Sequence, residues 1–90
     1  MNLPRVVRVL LADDHALVRS GVRRVLEASP GIEVVGEASR GDETLELLAQ
    51  LEPDVLLLDL NMPGGHGCGV LRQARDVAGR TRIVVLTLHV

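Results

Sequence analysis

Ninety residues are the length of one domain, able to bury only about two-thirds of the surface that its unfolded chain exposes. Hydrophobic residues make up 47% of the chain, yet Phe, Tyr and Trp are absent, so the core must be built from Val, Leu, Ile and Ala and no aromatic platform for bases exists. The formal charge of −2 argues against a nucleic-acid or anionic-membrane surface, and a single cysteine with neither a signal peptide nor a spanning segment leads to the expectation of a reducing cytoplasm.

In chain order, Met1 to Pro4 are a short lead-in, and Val6 to Ala12 read as a buried strand interrupted only by Arg8 and ending in Asp13-Asp14. The period then changes. Val18, Val22, Val25 and Leu26 recur at helical spacing, with Arg19, Arg23 and Arg24 on the surface; Asp13 and Asp14 are expected to cap the start, and Ser29-Pro30-Gly31 ends the helix. Ile32 to Ala38 read as a strand nearer the sheet edge, because Glu33 and Glu37 make it more polar. A second helix is predicted from Arg40 to Leu51, with Leu45, Leu48 and Ala49 inward and Pro53 barring its continuation.

The third apolar run, Val55 to Leu58, is followed at once by Asp59 and a Pro/Gly-rich loop. A third helix from Cys68 to Val77 turns Val70, Leu71, Ala74 and Val77 inward and closes at Gly79, and Ile83 to Leu86 are a fourth buried strand ending at Thr87. Four strands alternating with three helices specify βαβ units, right-handed crossovers and a doubly wound α/β fold with an open parallel sheet.

Ligands of such sheets bind in the crevice at the carboxyl ends of the strands, which is where Asp59, Asp13 and Asp14 fall. Asp59 could simply begin a turn, and Asp13-Asp14 could simply cap a helix. Two adjacent parallel strands would, however, bring all three acids together. Carboxylates about 5 Å apart repel by about 3 kcal/mol at an effective dielectric near 20, so a cation is implied, and a few hard oxygen ligands with room for water suit Mg²⁺.

Asp13-Asp14-His15, Asp59, Asn61-Met62-Pro63-Gly64 with Gly67, and Val84-Val85-Leu86-Thr87 together resemble the receiver domain of a bacterial two-component response regulator. Val34-Val35-Gly36-Glu37-Ala38 and Asp13-Asp14-His15 are similar to its NarL/FixJ type, in which a receiver precedes a helix-turn-helix. The match spans residues 1–90 as one receiver domain. It implies a flavodoxin-like sheet of strand order 2-1-3-4, with the family's fifth strand missing. It also implies that Asp59 accepts a phosphoryl group from a sensor histidine kinase in a Mg²⁺-dependent reaction, which would switch a DNA-binding output domain outside this chain and so regulate transcription. Asp14 would ligate the metal directly, Asp13 directly or through water, Asp59 through one oxygen and Asn61 through its backbone carbonyl. Thr87 would hydrogen-bond the phosphoryl group and move with it. Such a domain is a phosphoacceptor rather than an enzyme, with at most weak self-dephosphorylation.

The sequence departs from the family in one respect. The family's fifth strand carries a Lys that contacts the phosphoryl group, whereas all ten basic residues here are Arg and the chain reaches only Val90. The expectation is a receiver truncated after its fourth strand, belonging to a longer regulator or completed by homodimerisation or strand exchange at the exposed apolar edge. Two other functions fit parts of the pattern. A metal-dependent phosphohydrolase such as the haloacid-dehalogenase group would need a second acid at position 61, which is Asn, and a Lys clamp. A phosphorylation-independent interaction module would leave the acids as relics. His15 and His66 lack the close paired spacing of zinc motifs, and Cys68 reads as a small buried helix residue.

Overall fold

Apolar residues run almost unbroken along strand segments such as Val55 to Leu58 because both faces of the sheet are covered. The structure, a computed structural model, describes residues 5–62 and 67–86. Its elements are β1 (Val7–Ala12), α1 (Ala16–Glu27), β2 (Ile32–Ala38), α2 (Gly41–Leu51), β3 (Val55–Asp59), α3 (Gly67–Val77) and β4 (Arg82–Leu86). All strand pairs are parallel and the order is β2-β1-β3-β4, as the alternation of elements and the family resemblance imply.

Odd and even positions of β1 and β3 feed two cores. Leu10, Ala12, Leu56 and Leu58 face the side covered by α2 and α3, where they meet Leu48, Met62, Val70 and Ala74. Val9, Leu11, Val55 and Leu57 face the other side, where Val22 and Leu26 of α1 pack over them with Val34. Leu10, Leu56 and Leu58 are fully enclosed.

β2 does not keep one side throughout. Val9 pairs with Val34 but Leu10 pairs with Gly36, so Val35 is the extra residue of a bulge. Ile32 and Val34 therefore belong to the α1 side, whereas Ala38 joins the α2/α3 core. A Cβ added at Gly36 would lie 2.9 Å from Leu51 Cδ1 and 3.3 Å from Leu10 Cδ1, so the missing side chain lets α2 sit close to the strand. Past the bulge, Glu37 points toward α1.

The opposite end of the sheet is tied by one acid that the sequence reading passed over. Asp54 Oδ2 accepts from the Arg8 backbone N–H at 2.8 Å, its own N–H donates to the Arg8 carbonyl, and its carbonyl accepts from the Arg82 N–H. The Arg8 guanidinium donates to the carbonyls of Leu51 and Glu52 at the end of α2, where unpaired acceptors and the helix dipole favour a cation. Arg8 interrupts an apolar strand because it closes a helix.

Several inward assignments differ from the sequence expectation. Val25 and Val77 are exposed, as is Ala49, whose expected inward place in α2 is taken by the buried Thr44. α1 is rolled so that Arg19 and Arg23, rather than Val25, lie on the flank nearest β2, where Glu37 receives them. Asp13 and Asp14 do not cap α1: its N-cap is His15, with no side-chain cap, because the Asp13 carboxylate is engaged by the His15 N–H in a tight turn before the helix begins. β4 is an edge strand rather than a buried one, with Val84 and Val85 47% and 40% exposed.

Candidate functional site

β1 and β3 are adjacent, with Ala12 opposite Leu58, so the residues that follow each partner, Asp13 and Asp59, emerge side by side at the carboxyl edge of the sheet. Ligand atoms of Asp13, Asp14, His15 and Asp59 lie within 4.8 Å of one another. The three acids that the sequence singles out are thus brought together, and His15 joins them.

The two strand-end acids are held in the same way. Asp13 Oδ1 accepts from the His15 backbone N–H at 2.8 Å, and Asp59 Oδ1 accepts from the Asn61 backbone N–H at 3.0 Å. Each is an Asx turn that fixes the carboxylate by one oxygen, and among the described residues the other oxygen of each makes no hydrogen bond. Both residues are buried, at 6% and 8% exposure. The second oxygens are oriented but unconsumed.

Asp14 is more open, and its Oδ1 is buried without a hydrogen-bond partner. His15 Nδ1 lies 2.9 Å away and pairs with it only when the imidazole carries a proton there. A buried carboxylate oxygen without a donor, among two further carboxylates within 4.8 Å, is a group that a cation would satisfy. The donor set is dominated by hard oxygens, which fits Mg²⁺. Asp13, Asp14 and Asp59 are the residues that could hold it.

Asn61 is exposed in the turn after β3 and contributes its N–H to Asp59. Met62, part of the Asn61-Met62-Pro63-Gly64 motif, is buried in the α2/α3 core and anchors that turn. Thr87, His66 and Pro63-Gly64 lie outside the described residues, as does the side chain of Cys68. Leu86, directly before Thr87, pairs with Asp59 across β3 and β4.

The sequence reading also missed a charged network beside the acids. Arg19 Nη1 donates to the Asp13 carbonyl at 2.6 Å and its Nε to Glu37 Oε1 at 2.8 Å. Arg23 donates to the other Glu37 oxygen and to Glu27. Burial alone would raise the Glu37 pKa, but hydrogen bonds from Arg23 and Arg19 and their charges outweigh it and hold the carboxyl below its ordinary range. The i, i+4 spacing of Arg19 and Arg23 was a readable signal; their acceptor was not, because the bulge decides which way Glu37 faces.

Comparison with known proteins gives a consistent picture. The family model for the response regulator receiver domain matches residues 9–90. Nitrate/nitrite response regulator protein NarL of Escherichia coli (strain K12) is 46% identical over 80 residues, which are 89% of this chain and 37% of that protein. Transcriptional regulatory protein LiaR of Bacillus subtilis (strain 168) is 48% identical over 82 residues, 91% of this chain and 39% of that one. The chain therefore spans well under half the length of these curated relatives. Among solved structures, the response regulator domain of Thermotoga maritima CheB matches with a TM-score of 0.86 and 35% identity, covering 92% of this chain and 61% of that chain. A signal receiver domain of NarL from Mycobacterium tuberculosis gives a TM-score of 0.88 and 44% identity, covering 97% and 70%.

Proposed function

The chain belongs to the response regulator receiver domain family, and from that premise we propose that it accepts a phosphoryl group on Asp59 from the phosphohistidine of a sensor kinase. The observation that carries this reading is the pairing of Asp59 with Asp13: two buried carboxylates on adjacent strand ends, each with one oxygen tied to a backbone N–H and one left available. The available Asp59 oxygen forms the new O–P bond as the P–N bond to the kinase histidine breaks, leaving an acyl phosphate and a neutral imidazole once a proton is taken up. Such transfer depends mainly on positioning and charge neutralisation.

In this reading Asp13, Asp14 and Asp59 would hold Mg²⁺, joined by the Asn61 backbone carbonyl. When bound, the ion supplies the positive charge that lets an anionic phosphoryl group approach an anionic cluster. Asp13 and Asp59 do the orienting, because their Asx turns leave each carboxylate little freedom. Thr87 donates its hydroxyl to a phosphoryl oxygen after transfer, a role supported by the pairing of its neighbour Leu86 with Asp59.

The chain acts as a signalling domain rather than as an enzyme with a turnover substrate. DNA contact belongs to an output domain outside these ninety residues, as the names of the transcriptional relatives suggest. No helix among the described residues is long and apolar enough to cross a membrane, and a cytoplasmic location belongs to the same proposal. So does self-association through β4, supported by the exposed Val84 and Val85; sedimentation of the chain across a concentration series tests it.

Incubation with Mg²⁺ and acetyl phosphate, followed by intact mass measurement, tests the central claim. The expected result is a gain of one phosphoryl group that hydroxylamine removes and Asp59→Ala abolishes. A gain that persists in Asp59→Ala would falsify the assignment of the acceptor.

A further inference from the structure

We propose that Arg19 is a positioning residue for the acid site, holding the Asp13 main chain so that the carboxylates of Asp13 and Asp14 keep the orientation that cation binding requires. The inference rests on the receiver reading above and adds to it a residue outside the ligand set.

Three polar atoms of Asp13 are engaged. Its N–H donates to the Ala38 carbonyl at 2.9 Å, its Oδ1 accepts from the His15 N–H at 2.8 Å, and its carbonyl accepts from Arg19 Nη1 at 2.6 Å. The last contact brings a fully charged side chain from another element onto the main chain of Asp13, so it is a charge-assisted tether on the peptide that joins Asp13 to Asp14. That peptide sets the relative direction of the two carboxylates. Arg19 approaches it through the carbonyl and makes no hydrogen bond to an acid of the cluster, so it does not occupy the oxygens that a cation needs.

The tether is itself anchored. The Arg19 side chain is 21% exposed, its Nε is fixed on Glu37 Oε1, and Glu37 is held from its other oxygen by Arg23, which is in turn paired with Glu27. Arg19 lines the same small cavity as Asp13, Asp59, Leu57 and Leu86. The strut thus runs from β2 through α1 to the end of β1 and stops one peptide bond short of Asp14. Partners placed just outside a metal's ligands typically set its affinity by orienting those ligands, and their loss costs about ten-fold or more.

The test is Mg²⁺ titration of the chain by calorimetry, with thermal unfolding followed by circular dichroism for each variant. Arg19→Met removes the tether but keeps the aliphatic stem, and the expected result is a Kd weakened by about ten-fold. Arg23→Met removes one anchor of Glu37 but leaves Arg19 bonded to both Glu37 and the Asp13 carbonyl, so it lowers the unfolding midpoint while weakening the Kd clearly less than Arg19→Met does. Arg19→Lys, which can still reach the Asp13 carbonyl, recovers part of the loss. Should Arg19→Met not fold, Arg19→Gln, polar but too short to span Asp13 and Glu37, takes its place in the same comparison. An unchanged Kd in the Arg19 variant, or equal weakening in the Arg19 and Arg23 variants, overturns the proposal. A wild-type chain that takes up no Mg²⁺ defeats the Mg²⁺-dependent phosphoacceptor reading, an outcome distinct from normal binding that is indifferent to Arg19.

Discussion

Asp13 and Asp59 stand at the ends of adjacent parallel strands, and one carboxylate oxygen of each accepts from the backbone N–H two residues ahead. The symmetry has an energetic cost in the absence of a cation, because both charges are buried and face Asp14 across less than 5 Å.

Relief of that repulsion is measurable. Asp59→Asn keeps an acceptor for the Asn61 N–H and removes one charge, so in EDTA it is expected to stabilise the fold by about 1–3 kcal/mol in urea unfolding, the order of the Coulomb term it removes. In saturating Mg²⁺ the wild type gains binding energy and the advantage should shrink or reverse. A variant less stable than wild type in EDTA would show that the acids are not in conflict.

Glu37 gives the fold an acid-sensitive joint. Its folded pKa lies below the ordinary 4.5 because of Arg23 and Arg19, so the stabilisation is fully present above that value and is lost as pH falls through the lowered folded one. Below pH 4.5 the wild type should therefore lose stability more steeply than Glu37→Gln, as seen in midpoints measured between neutral pH and pH 3. Parallel curves for the two proteins would count against a charged strut.

Leu56 is fully enclosed in the α2/α3 core of a chain with no aromatic side chain to fill a void. Leu56→Ala should cost about 2–5 kcal/mol. Against a total of about 5–15 kcal/mol that loss takes a large share of the stability, so the urea midpoint and the far-UV signal at 25 °C are the quantities to compare.

Glu52 closes α2 with φ 44°, the left-handed conformation, although it carries a side chain. Its contribution to Arg8 is a backbone carbonyl, which a glycine retains. Glu52→Gly should raise stability by up to about 1 kcal/mol, the left-handed penalty less the entropy cost of glycine, read as a higher thermal midpoint. A fall in the midpoint would mean that the carboxylate has a role that its exposure conceals.

The parts of this molecule that were legible in the sequence are those written in a repeating period or at a strand end. A run as short as Val55–Leu58, with Pro53 before it and a Pro/Gly-rich stretch after it, reads as a strand buried on both faces, and acids at the ends of two such strands converge once those strands are neighbours. What was illegible depended on contacts between elements. Arg19 was assigned to the surface because a helical stripe read from apolar residues alone is centred on Val18, Val22 and Val25, whereas α1 rolls toward its charged partner in β2. Arg8 looked like an interruption of β1 because its acceptors lie 43 and 44 residues away at the end of α2. Val84 and Val85 were read as buried from hydrophobicity, which says what a strand prefers and not whether a neighbour is present to supply it.

The extra residue in β2 makes that strand a splice between two layers. Before Val35 the strand contributes to the layer beneath α1, and after it to the layer beneath α2. Loss of one residue there would not be absorbed locally: every later position would exchange sides, turning Ala38 out of its core and driving Glu37 in among Leu10 and Leu51. The length of β2 is thereby locked to the charge pattern of α1, so a change in either helix or strand must be matched by the other if the tether on Asp13 is to persist.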